Sequence, residues 1–144
     1  MLRRFKSLRV SKSTDILQLD RRITLGERRL KIAEYLNTHF NSTIAYGPLK
    51  GFQFDQRSWW NKKDRAGMLL GLYEQEVLTC LWQTSGTHRT FVDLGAADGY
   101  YGVGVLVNNL FAESYCFEIA ENGREVIEAN ARLNQVLHRV HIHG

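Results

Sequence analysis

The residues best placed to do chemistry form one ordered string, Asp93-Leu94-Gly95-Ala96-Ala97-Asp98-Gly99-Tyr100-Tyr101, running out of the apolar stretch 91–94. The string reads as a strand, a tight turn and a helix start. Gly95 lets the chain leave the strand sharply, and Gly99 lets the backbone come close to a ligand. Nineteen residues beyond Gly99 stands Glu118, at the end of the next strand-like run. A carboxylate at the C-terminal end of a second parallel strand faces the same crevice as the glycine turn, and its two oxygens suit the two hydroxyls of a ribose. The pairing points to an adenosine-containing ligand. A dinucleotide would ask for GxGxxG, whose helix N–H groups meet a pyrophosphate. Here the pattern is Asp-x-Gly-x-Ala-x-Gly, and the Asp93 carboxylate would repel a pyrophosphate. It would attract the cationic amino or sulfonium end of S-adenosylmethionine, so the sign of the charge favours that cofactor over NAD.

Several elements must position these residues. Leu25, Ile32, Leu36 and Phe40, with Ala33 beside them, recur at helical spacing and predict an amphipathic helix over 26–40. Residues 43–46 and 51–54 read as short strands of a hairpin, with a turn at 47–50 preset by Pro48. Residues 57–71 read as a loop. A second helix is expected over 73–83, with Tyr73, Leu78, Val77, Leu81 and Trp82 as its apolar stripe. Then come a strand (91–94), an apolar helix (100–111), a strand (114–118), a helix (121–135) with Val126, Ala129, Leu133 and Val136 on one face, and a strand (139–143). The β-α-β-α-β order with short connections builds a parallel sheet with right-handed crossovers. Gly102 and Gly104, inside the first helix of that unit, cost about 1 kcal/mol each against Ala, which close packing on the sheet would offset.

The blocks FVDLGAADGYYGVG and YCFEIAENGREVIEANARLN resemble the FkbM-type class I methyltransferases that use S-adenosylmethionine. That family shows VDVGANxGYY followed by AFEPxPENxxxLxxNxxLN. The matching positions include Phe91, Asp93, Gly95, Ala96, Gly99, Tyr100, Tyr101, Phe117, Glu118, Glu121, Asn130, Leu133 and Asn134. Gly71-Leu-Tyr73-Glu74-Gln-Glu76 is similar to the family's GxYExE block, so the resemblance spans residues 51–144. It implies an α/β fold: an incomplete Rossmann-like class I methyltransferase sheet preceded by a helix, a β-hairpin and a helix. Residues 1–24 have no sustained period and read as a basic N-terminal arm, followed by an extension (25–86); the resemblance implies that 87–144 is the N-terminal half of a cofactor-binding domain, with strands 3-2-1 of the family order 3-2-1-4-5-7-6. It also implies site roles. Asp93, Gly95, Ala96 and Gly99 would border the methionine moiety, Glu74 would approach it from the preceding helix, Glu118 would hold the ribose, Ile119 would lie beside the adenine, and Ala97 and Tyr100 would also belong to the cofactor site. Ala97 and Ile119 depart from the residues common in such enzymes. The activity implied is methylation of a hydroxyl on a small molecule or sugar, with no catalytic base assigned. A sheet ending at the first strand leaves that strand as an open edge, which invites self-association or cover from the N-terminal helices.

Other readings compete. Asp93 as a turn cap, Glu118 as a solvated strand end and Glu74 as a helix-start acid are the bland alternatives. Tyr100 and Tyr101 read as packing residues with one hydroxyl at the pocket rim, and Trp59 and Trp60 as either packing groups or a lid over the acceptor. His141 and His143 share one strand face, but two imidazoles do not complete a zinc site, and no metal is expected. No GxSxG elbow supports a hydrolase. The chain has 144 residues and a net charge of +4, and that charge is uneven. Residues 1–31 carry ten Lys and Arg against three acids, so the remainder is acidic. The basic arm admits nucleic-acid methylation as a further alternative, although Phe5 is its one aromatic residue. A truncated module acting in binding or assembly is another. Cys80 and Cys116, without a CxxC, read as buried free thiols in a reduced, cytoplasmic setting. No membrane span and no secretory signal are expected.

Overall fold

The computed structural model describes residues 23–58 and 60–144, so the basic arm lies almost wholly outside the described residues, as does Trp59. The order is α1 (Leu25–His39), α2 (Arg65–Leu69), α3 (Gln75–Thr84), β1 (Thr90–Leu94), α4 (Tyr100–Val107), β2 (Glu113–Phe117), α5 (Glu121–Leu133) and β3 (Val140–His143). No described helix is long and apolar enough to cross a membrane.

The three strands form a parallel sheet in the order β1-β2-β3. Alternation of side chains decides what each face carries. Asp93, Ser114, Cys116, Val140 and Ile142 point toward α4 and α5, and this layer holds much of the core, with Val103, Leu106, Ile127 and Ala131 buried against it. The α4 backbone approaches the strands so closely at Gly102 that an added Cβ would lie far inside the contact distance of Cys116 Sγ, and 3.1 Å from Asp93 Oδ2. The glycine is therefore a packing requirement, which answers its cost in helix propensity. The opposite face is bare. Val92 and Leu94 are exposed there, Leu94 at 78%, and Tyr115 and Phe117 stack on His141 and His143. His141 also meets Glu113 at 3.1 Å.

The segment before the sheet departs from its expected form in several places. The hairpin is not two strands. One antiparallel bridge, Thr43 to Gln53, survives, because Asn41 and Ser42 take left-handed conformations and turn bonds such as Lys50 N–H to Gly47 O use the backbone groups between. Ile44, Leu49, Phe52 and Phe54 are nevertheless buried, so the segment enters the core as a compact loop. Residues 57–71 are not all loop, since five of them form α2, where Met68 and Leu69 are buried. In α1, a Thr24/Glu27 capping box sets the start, but Leu25 and Ile32 of the expected stripe are exposed and Ala33 is the residue buried. In α3, Leu78 and Leu81 are buried, whereas Val77 (42%) and Trp82 (61%) face outward. In α5, Leu133 is likewise exposed. The helix expected to reach residue 111 ends at Val107, and Arg139 lies in a 3₁₀ turn rather than in β3. Cys116 is buried, but Cys80 is exposed.

Candidate functional site

A cavity of about 190 Å³ opens at the C-terminal end of β1. One wall is the turn after the strand, with Asp93, Gly95, Ala96, Ala97, Asp98, Tyr100 and Tyr101. The other wall comes from the preceding segment, with Trp60, Met68, Tyr73 and Glu74. Gly95 and Gly99 both hold φ near +80°, a region closed to most side chains, which is what makes the turn possible. Two non-glycine residues at the cavity share the left-handed region, Glu74 (φ 47°) and Ala97 (φ 50°). Each such conformation stores about 1–2 kcal/mol of strain, and strain of this kind gathers at functional sites.

The electrostatics of the cavity are one-sided. Asp93 accepts from the Gly102 N–H at 2.9 Å, and burial raises its carboxyl above the ordinary range, with Glu118 adding repulsion. Asp98 is buried, and burial raises its carboxyl too, against the pull of Arg65. Arg65 Nη2 reaches Asp98 Oδ2 at 3.3 Å, while its guanidinium lies over Phe54, 3.6 Å from the ring centre. Glu74 is the third acid, and Tyr101 Oη donates to its Oε2 at 2.5 Å. Burial, then Glu74, through its charge on Tyr100 and through the hydrogen bond it accepts from Tyr101, pushes both hydroxyls well above their usual range. Three carboxyl groups beside Trp60, Tyr73, Tyr100 and Tyr101 make surroundings suited to a cation, by charge and by the negative faces of the rings. Three atoms at this place are buried without a hydrogen-bond partner: Asp98 Oδ1, Tyr100 Oη and Arg65 Nη1. The Tyr100 hydroxyl is thus enclosed, while that of Tyr101 is bound to Glu74.

Glu118 stands apart from this cavity but is tied to its floor. Its Oε2 accepts from Ala97 N–H at 2.7 Å and its Oε1 from Ala120 N–H at 2.8 Å. Each oxygen keeps a second lone pair. Ile119, next in the chain, is 91% exposed. Arg124 Nη1 donates to the carbonyls of Glu118 and Ile119, both at 2.7 Å, and fixes the exit from β2.

The structure thus brings Glu74, Asp93, Gly95, Ala96, Ala97 and Tyr100 to one cavity, bonds Gly99 N–H to the lining residue Ala96 and Glu118 to the lining residue Ala97, and leaves Ile119 exposed outside the lining. Sequence reasoning missed Asp98 and Arg65. An acid inside a glycine turn was the available signal for Asp98. Nothing local marks Arg65, which lies 33 positions away. It also left Asn130 and Asn134 without a role. Asn130 is buried, and its Nδ2 donates to Asp98 O at 2.7 Å and Ser58 Oγ at 3.0 Å, while its Oδ1 accepts from Asp55 N–H at 2.7 Å. Asn134 makes a two-way pair with the Gln53 backbone. The two asparagines clamp the wall-forming segment to α5. Among the described residues, no group of three or more His, Cys, Asp and Glu could hold a metal ion.

Compared with known proteins, the chain matches no protein-family model, no curated protein and no solved structure.

Proposed function

We propose that this chain binds S-adenosylmethionine and is the cofactor-binding part of a Rossmann-like class I methyltransferase of the FkbM type. Its acceptor would be a hydroxyl of a small molecule or sugar. The observation that carries the reading is the acid- and ring-lined cavity at the end of β1, beside Glu118. The fit of the group rests on the orphaned Asp98 oxygen and on Asp93, whose half-buried carboxyl has one backbone donor and no cation among the described residues. Bound there, the cofactor would supply an electrophilic methyl group. Glu74, Asp93 and Asp98 would hold its positive end, Glu118 would hold its ribose, and Ile119 would flank its adenine. The enclosing wall from Trp60 to Glu74 would keep water from that end and orient the donor.

Calorimetric titration with S-adenosylmethionine and S-adenosylhomocysteine tests the reading. Micromolar binding that weakens at least ~30-fold in Glu118→Ala is expected, since a charged acceptor of two hydroxyls contributes about 2 kcal/mol or more. Absence of binding to the unaltered chain refutes it, and equal affinity in the variant refutes the ribose role of Glu118.

A second reading, as an assembly module, is favoured by the unpaired edge of β1 and the bare sheet face beside it. Unpaired edges template further pairing. Concentration-dependent dimers in light scattering, abolished by Leu94→Asp, are expected of it; a monomer at all concentrations rules it out.

A further inference from the structure

Parallel sheets carry apolar residues on both faces and are covered on both. Here the second face has the residues without the cover. The register sets Val92, Tyr115 and His141 in one row and Leu94, Phe117 and His143 in the next, all on the side away from α4 and α5. Val92 is 53% exposed, Leu94 78% and Phe117 39%, and both histidines are exposed. Together the six side chains leave roughly 500–600 Å² open, at the upper end of what a monomer shows as one patch. Two such faces set against each other would remove roughly 1,100 Å², which clears the ~1,000 Å² of a specific interface and sits at the weak end of that range.

The charges on this face lie at its margin. Glu113, at the start of β2, meets His141 at 3.1 Å, so a proton on His141 is balanced there. His143 stacks on Phe117 at 4.8 Å and lies parallel to Tyr115 at 6.1 Å, and among the described residues no acid pairs with it. Near the same end of β3, Arg124 donates to the carbonyls of Glu118 and Ile119, and Glu118 accepts from the N–H groups of Ala97 and Ala120. Neither serves His143. With its imidazoles neutral, the middle of the patch is uncharged, and the same patch on a second copy is its apolar complement across a two-fold axis.

We propose that this face is the contact between two copies of the chain, packed sheet on sheet about a two-fold axis, with Leu94, Phe117 and His143 at its centre. The pairing rests on the assembly reading and fixes its geometry: face meets face, and the edge of β1 is not the contact. The two geometries differ at β3. Neighbouring strands are about 4.8 Å apart, so His143 stands roughly 10 Å from the β1 edge and stays in water if edges pair. Sheets packed on their faces stand about 10 Å apart, which encloses it. Acid therefore opposes the face contact, because a protonated His143 would be buried with no acid beside it.

Sedimentation and light scattering of the full chain over about 10–500 μM, near pH 8 and near pH 5.5, test it. A dimer with a micromolar dissociation constant is expected near pH 8, weakened about tenfold or more near pH 5.5. His143→Phe is expected to pair equally well at both pH values. His143→Asp, a change at an exposed position, is expected to weaken pairing about tenfold or more near pH 8. A chain that stays monomeric at every concentration refutes the assembly reading and this contact with it. If Leu94→Asp also lowers the thermal midpoint of that monomer, the face is covered within the chain. A dimer that Leu94→Asp disrupts, but that acid and His143→Asp leave untouched, pairs through the β1 edge. That result overturns the face contact and leaves the assembly reading standing.

Discussion

Replacing Gly102 by Ala tests the closest contact between helix and sheet. At an unconstrained helical position the change stabilises by about 1 kcal/mol, because Ala loses less backbone freedom and has the better helix propensity. Here the new methyl group would overlap Cys116 Sγ, and it would stand 3.1 Å from Asp93 Oδ2 and 3.2 Å from Ser114 Oγ. These neighbours are in the core layer and cannot all yield. Overpacking of this kind costs about 1–3 kcal/mol. Moving α4 away would also stretch the 2.9 Å bond from Gly102 N–H to Asp93, a loss of about 1 kcal/mol. Set against the propensity gain, Gly102→Ala should destabilise the chain by roughly 1–3 kcal/mol, read as a lower urea midpoint with an unchanged slope. Cys116→Ala removes the worst overlap, so the double variant should cost less than the sum of the two singles by about 1 kcal/mol or more. A Gly102→Ala chain as stable as the parent, or strict additivity with Cys116→Ala, would refute the argument.

Two further outcomes follow from the buried charges. Burial raises Asp93 above its ordinary value of 3.8, so the native state binds that proton more tightly than the unfolded state does. Its contribution to stability is therefore full below 3.8 and falls as pH rises through the raised native value; Asp93→Asn should flatten that fall in urea midpoints measured between about pH 4 and pH 7. Arg65→Met leaves Asp98 buried without its cation and should cost about 3–5 kcal/mol near neutral pH, and less on acidification as Asp98 takes up a proton; a thermal midpoint within a degree or so of the parent would contradict the pair's role.

The β-α-β-α-β unit was legible because its signals are local. Apolar runs of strand length, a glycine turn and one helical stripe each lie within a few residues of one another. The glycine turn and Glu118 were legible for the same reason. What escaped was set by distance. Asp98 reads as an ordinary turn residue until Arg65 reaches it across 33 positions. Asn130 reads as a polar interruption in α5 until the chain folds Asp55 and Ser58 onto it. The five residues of α2 are too few to show a period, and Gly67 within them argues against a helix. The stripe of α3 was misjudged at Val77 and Trp82 because periodicity reports which residues share a face, not how much of that face a neighbour covers.

The left-handed residues carry one more consequence. Seven described non-glycine residues have positive φ, and five of them are Asn, Ser or Gln in connecting segments. The other two are Glu74 and Ala97, which face each other across one cavity. Glycine at either position would relax the backbone and raise stability by about 1 kcal/mol, yet it would loosen the cavity wall. A population selected only for resistance to heat would therefore be drawn to positions 74 and 97 first. It would loosen the cavity while gaining robustness, so the cavity marks where this chain holds durability in reserve.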